Sequence, residues 1–420
     1  MGVGLLVAGV SSYLFLKLAA SQLGDDHFKP VNALWFATFA LAPGFFLPVE
    51  QEMGRALAQR RSLGQGGRPV VVKLAKLAAG LAAIVVVILV ATSGLIARNY
   101  FDGNWAMTFI FIASFAAYAP VHLSRGICSG NGRFGGYAVI MGFDGGARIL
   151  GCLALIAFGV KAAGPYGIVV ALAPLSGLAL VFKRRQLVTE PGPEANWGEV
   201  TPNLGYLLLG SVFGAALLNA GPIAVTLLIA DNEKNLVKPF TFGVLLGRIP
   251  LFMFQAVQAA LLPRLARLAA QGDQSEFRSA FRKLLILVSG IGVLGTLGSL
   301  ALGPTILKAV FKADLSRETM TMLALGSACY MVALTAAQAV IALHGHAYVA
   351  IGWTLAMASF LFGTAVTPGH TFRRVEVGLV AGSAVAMIAF LAALTAQLRR
   401  HASMDHGSVL EAMTDLPFEA

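Results

Sequence analysis

Residues 70–97 read VVVKLAKLAAGLAAIVVVILVATSGLIA. After two early lysines the stretch is apolar and without a period-two alternation, so it predicts a helix and not a barrel strand. It is long enough to cross a hydrocarbon core of ~30 Å. Similar stretches recur along the chain, at 2–22, 31–49, 105–123, 137–160 and 164–183, and then at 203–230, 238–262, 281–308, 319–344, 347–368 and 375–397. The composition agrees: 57% of the 420 residues are hydrophobic and 12% are charged, against roughly 25% charged in soluble domains. Mean hydropathy is +0.76, and the 47 glycines suit closely packed membrane helices. The expected fold is an all-α polytopic membrane protein of about twelve transmembrane helices.

The net charge of +11 would suggest nucleic acid in a soluble chain. Here the larger share of the 31 Lys and Arg falls in loops on the side of the N-terminus, as the positive-inside rule expects of cytoplasmic loops. Both termini are therefore expected in the cytoplasm, and nucleic acid is not expected as a partner. The start of the chain lacks a basic region and carries Lys17, so it reads as an uncleaved first span. Cys128, Cys152 and Cys329 show neither disulfide nor metal spacing, and no cofactor is expected.

The chain divides into an N-terminal six-helix lobe (1–183), a cytoplasmic linker (184–202), a C-terminal six-helix lobe (203–400) and a disordered cytoplasmic tail (401–420). The lobes read as repeats. Leu47-Pro48 and the basic Ala/Leu-rich run to Arg61 match Leu262-Pro263 and the run to Gly272, both expected as short interfacial helices. Gly132-Arg133-Phe134 matches Gly345-His346-Ala347. Each pair falls on one membrane side, which predicts a pseudo-two-fold axis along the membrane normal around a central cavity, the architecture of an alternating-access transporter.

Ionisable residues inside spans are costly and mark cavities or partners. Lys17 lies in the first span, Asp144 and Arg148 one helical turn apart in the fifth, and Arg248 in the eighth, beside Pro250. Asp144 and Arg148 either neutralise one another or serve a site. Lys17 either snorkels or joins Arg148 and Arg248 as cavity cations that bind an anionic group, for which the planar guanidinium fork suits phosphate. Glu50, Glu52 and Arg55 form an interfacial salt-bridge cluster or an inner gate closing against the other lobe, and Asp144 is a further candidate for ion coupling. His122, His344 and His346 lie near the same surface and read as structural, with no metal site expected.

Glu50-Gln51-Glu52-x-x-Arg55-Ala56 and Arg125-Gly126-x-x-x-Gly130-x-Gly132-Arg133-Phe134 resemble polysaccharide and lipid-linked oligosaccharide flippases of the multidrug/oligosaccharidyl-lipid/polysaccharide exporter superfamily. The resemblance implies translocation of an undecaprenyl-pyrophosphate-linked oligosaccharide or cell-envelope polysaccharide precursor from inner to outer leaflet of a bacterial cytoplasmic membrane. It implies transport without enzymatic chemistry, with Lys17 and Arg248 at positions where peptidoglycan-precursor members hold cavity cations. Cell-envelope glycosyltransferases or a polymerase would be partners, besides membrane lipids. The chain departs from the peptidoglycan-precursor members in lacking two extra spans and further basic residues. The alternatives are a cation-coupled multidrug exporter of the same fold, which would need cavity carboxylates, a membrane glycosyltransferase using Asp25-Asp26, and a transport-inactive cell-envelope scaffold.

Overall fold

The computed structural model describes residues 2–200, 203–251 and 274–414. Among these residues there are thirteen α-helices and no strand. Ten helices are long and apolar enough to cross a membrane. The other two expected spans are the arm of α1 (Gly2–Ser62) ahead of a kink at Gly24 (φ 69°, ψ 177°) and α9 (Val237–Gly247). Large apolar residues such as Val87, Ile88, Leu150, Leu294 and Phe362 stand exposed on the helices, a pattern that suits a surface where lipid takes the place of a packing partner.

The first lobe is α1, α2 (Arg68–Ala91), α3 (Ser93–Tyr100), α4 (Trp105–Gly130), α5 (Phe134–Ala157) and α6 (Ala163–Lys183). A short α7 (Trp197–Val200) lies in the linker. The second lobe is α8 (Leu204–Leu228), α9, α10 (Gln274–Phe311), α11 (Arg317–Ala342), α12 (His346–Val366) and α13 (Thr371–Thr414). Two expectations need correction. The span at 70–97 is two helices broken at Thr92, whose hydroxyl donates to Ile88 O at 2.7 Å. The basic run after Pro48 is no separate helix but the last turns of α1. The matching run at 262–272 lies outside the described residues.

The repeat is real, with a register one residue away from the one expected. α4 and α11 are 26 residues each, and each starts with a side-chain cap, Asn104 accepting from Met107 N and Ser316 from Thr319 N. Each ends in a Schellman turn: Arg133 N donates to Cys128 O and Gly132 N to Ser129 O, as Gly345 N donates to Val340 O and His344 N to Ile341 O. The left-handed residue is Gly132 (φ 71°) in one turn and His344 (φ 62°) in the other. Gly132 thus corresponds to His344, not to Gly345, and by the same count Tyr118 corresponds to Tyr330.

The lobes meet along the second arm of α1. Phe28 stacks on Phe242 at 6.1 Å near one end. Farther along, Asn219 Nδ2 donates to Phe39 O at 3.3 Å, and from the first arm Tyr13 donates to Leu245 O at 2.6 Å. Ser211 donates to Pro43 O at 3.4 Å near the basic end. Within the first lobe α4 approaches α1 through Gly126 and Gly130, where a Cβ would stand 2.7 Å from Glu50 O and 2.6 Å from Leu57 Cβ.

Candidate functional site

Two of the three expected cavity cations converge on one aromatic run of α1. Arg148 is buried, ion-paired with Asp144 one turn earlier on α5. Its guanidinium also lies over the Trp35 and Phe39 rings, at 5.0 and 5.3 Å. Positions 35 and 39 share a helix face; position 36 points elsewhere, and the Phe36 ring lies 5.9 Å from the Arg248 guanidinium. One helix of the first lobe therefore carries a cation of each lobe on its rings.

The two arginines differ in their charge balance. Arg148 has a carboxylate. Arg248, 7% exposed, has no ion pair among the described residues. Its partners are neutral: the Leu218 carbonyl and, weakly at 3.5 Å, Asn219 Oδ1. Asn219 is itself held by its Nδ2 donating to Ala215 O at 2.9 Å. Beside Arg248 a cavity of about 30 Å³ is lined by Tyr330, Ser327, Ser383 and Leu218 among others, room for a water or two. A buried cation with only neutral acceptors carries a desolvation cost that an anion would offset.

Lys17 stands apart. It is exposed, and its ammonium lies 5.8 Å from the ring of Phe311, which stacks on Phe242 at 4.6 Å. It faces the aromatic seam between the lobes, away from the ring run that joins Arg148 and Arg248.

Glu50 is the centre of a buried network. Its carboxylate meets His122 Nδ1 at 2.8 Å, accepts from the Tyr137 hydroxyl at 3.0 Å and pairs with Arg125 at 3.2 Å, while Arg125 donates to the Tyr137 oxygen at 2.9 Å. All four lie in the first lobe, so in this structure Glu50 makes none of the contacts of a gate against the other lobe. Glu52 pairs with Arg55 at 2.8 Å. His346 of the second lobe stands within electrostatic reach of that pair, with no ion pair between them among the described residues. The sequence does not single out Tyr137; it presents His122 as a structural histidine and Arg125 as the first residue of the motif that carries the flippase resemblance. Counted from the paired turns, His122, Arg125 and Tyr137 correspond to Leu334, Ala337 and Val349, packed in the apolar core of the second lobe. The fold therefore does not require polar residues at these places. Among the described residues no three His, Cys, Asp or Glu side chains are grouped to hold a metal. The side chain of Asp25 lies outside the described ones.

The linker is clasped to the first lobe. Arg60, 3% exposed, donates to both oxygens of Glu199 at 2.6 and 3.0 Å, to Pro193 O at 2.7 Å and to Glu194 O at 3.2 Å. Arg55 donates to Glu199 O at 2.5 Å, and Arg133 to the carbonyls of Gln186 and Val188. Arg60→Gln is expected to weaken this clasp by about 2–3 kcal/mol, from the loss of charged hydrogen bonds. Limited proteolysis of the folded protein should then cut within residues 186–200 at least tenfold faster than in the parent, and an unchanged rate would show that the clasp does not hold the linker.

No family model and no curated protein sequence matches the chain. Solved structures do. An inward-facing multidrug resistance MATE family transporter of the MOP superfamily is 12% identical with a TM-score of 0.69, over 97% of this chain and 96% of its own. An outward-facing MATE family transporter of that superfamily is 13% identical with a TM-score of 0.70, over 97% and 95%. A variant of the Vibrio cholerae MATE transporter VcmN is 15% identical with a TM-score of 0.69, over 95% and 96%. At such identities the likeness is one of fold. It shows the fold alone and does not single out flippases or drug exporters. Over nearly its whole length, the chain has the two-lobed fold of the MATE transporters.

Proposed function

We propose that the protein is a membrane transporter that works by alternating access and carries an anionic amphiphile, with an isoprenyl-pyrophosphate-linked oligosaccharide as the cargo that fits best. The observation that carries this reading is Arg248: a buried cation at the seam between the lobes whose partners among the described residues are all neutral. A pyrophosphate would supply the missing charge through a two-oxygen contact, while the isoprenoid tail stays in lipid. The fold supports the mode of action, since it is shared with transporters solved in inward- and outward-facing forms. In this reading the protein sits in a bacterial cytoplasmic membrane with both termini inside, and receives its cargo from cell-envelope glycosyltransferases.

Export of cationic drugs is the second reading. It is favoured by the solved relatives, which are multidrug transporters, and by Glu376 of the second lobe, a carboxylate 3% exposed that has no ion pair among the described residues. Glu50 and Asp144 are each already paired with an arginine of their own lobe, which leaves Glu376 as the carboxylate open to a cationic cargo or a proton.

Proteoliposomes containing the purified full-length chain separate the two. We expect a fluorescent undecaprenyl-pyrophosphate oligosaccharide to become accessible to an external quencher at least tenfold faster than in protein-free vesicles, with no acceleration of cationic dye efflux. Dye efflux without lipid translocation would overturn the reading in favour of the exporter.

A further inference from the structure

The end of α2 on the basic side carries a second cluster of cations that the transport reading does not use. Arg68, Lys73 and Lys76 line a cavity of about 490 Å³ whose opposite wall is the linker, Pro191 to Trp197. That volume lies within the ~300–1,000 Å³ of sites for small ligands. Pro69 and Val72 give it an apolar floor, and Glu194 is the single carboxylate in the lining. Lys73 is pre-positioned: its ammonium donates to Ala195 O at 2.5 Å and lies 4.7 Å from the Trp197 ring centroid. Arg68 and Lys76 are exposed, and their side chains have no protein partner among the described residues.

The depth of this cavity follows from the sequence. Between Lys76 and Arg98 no residue is charged, and residues 77–97, helical at 1.5 Å each on either side of the break at Thr92, span up to about 30 Å, the thickness of the hydrocarbon core. Lys76 and Arg98 therefore stand at opposite headgroup levels. Arg68, Lys73 and Lys76 lie in the polar layer on the side of the basic loops, with Trp197 beside them at the depth where amphipathic aromatics collect. The wall is held in place by the Arg60 clasp on Pro193, Glu194 and Glu199.

We infer that this cavity is a binding site for the phosphodiester headgroup of an anionic phospholipid of that leaflet. Its phosphate pairs with Arg68 and Lys76, its glycerol end rests on Val72 and the Trp197 ring, and its acyl chains run down the exposed apolar face of α2. The occupant bridges the first lobe and the linker that leads to the second. The site is independent of the cargo, so it stands or falls separately from the reading given above.

Native mass spectrometry of the full-length protein, released from detergent with added phosphatidylglycerol or phosphatidylcholine, tests it. Wild type is expected to retain phosphatidylglycerol preferentially, and R68Q/K76Q to bind it about 30-fold more weakly, from the loss of two interfacial charges. Phosphatidylcholine binding should not change between them. Both replaced side chains are exposed and have no partner among the described residues, so equal melting temperatures in lipid-free detergent are expected and show that the variant is folded. W197A, which removes the ring but no charge, should weaken retention less than the double variant does. Equal retention of phosphatidylglycerol by wild type and R68Q/K76Q overturns the proposal. So does displacement of the lipid by millimolar inorganic phosphate, which would make the site one for free phosphate.

Discussion

Arg248→Ala is expected to lower transport at least 30-fold while leaving the melting temperature unchanged or higher. The two halves of this expectation have different causes. Truncating a buried charge that meets an opposite charge on a ligand typically costs about 2–5 kcal/mol of binding, hence the flux loss. Stability moves the other way. In the empty protein the guanidinium is desolvated against a carbonyl, an amide oxygen and a ring, partners worth less than a carboxylate would be. Removing it leaves the Leu218 carbonyl unpaired, at about 1–3 kcal/mol, and relieves a desolvation penalty of several kcal/mol. Initial rates of lipid translocation in proteoliposomes, read beside thermal melts of the same preparations, check both. A variant that melts more than 5 °C lower and transports normally would make Arg248 a structural residue.

Glu50→Leu should have the largest effect on stability, a loss of about 3–5 kcal/mol, because it strips the largely buried Arg125 and the buried His122 of their carboxylate. The second lobe offers the control. His122→Leu, Arg125→Ala and Tyr137→Val, the residues found at the corresponding places there, added to Glu50→Leu, should restore most of that loss. The four act as one unit, so their effects are not additive. Chemical denaturation in detergent measures the recovery. A quadruple variant as unstable as Glu50→Leu alone would mean that the apolar set does not fit the first lobe.

Much of this was legible in the sequence, for physical reasons. Lipid forbids unpaired backbone, so long apolar runs can be only helices, and the spans follow. The Asp144–Arg148 pair was legible because one helical turn is a local relation. The repeat was legible in outline but one residue out. Gly345 draws the eye as the partner of Gly132, whereas the left-handed position is filled by His344, and histidine tolerates positive φ better than most residues. The Glu50 network was not legible. Its members come from α1, α4 and α5, and only the approach of α4 through Gly126 and Gly130 brings them together. The absence of acidic residues near Arg248 in its own span was visible. That its ring partner, Phe36, belongs to the other lobe was not.

That last contact bears on the transport cycle proposed above. Parting the lobes must pull Phe36 from Arg248 and the Asn219 amide from the Phe39 carbonyl, and it lets water reach the guanidinium. In the proposed cycle, closing the lobes without an anion strips the guanidinium of water at a desolvation cost, and closing them around one offsets it. Such an arrangement would oppose idle cycling: a carrier without cargo would have to strip a cation of water to cross.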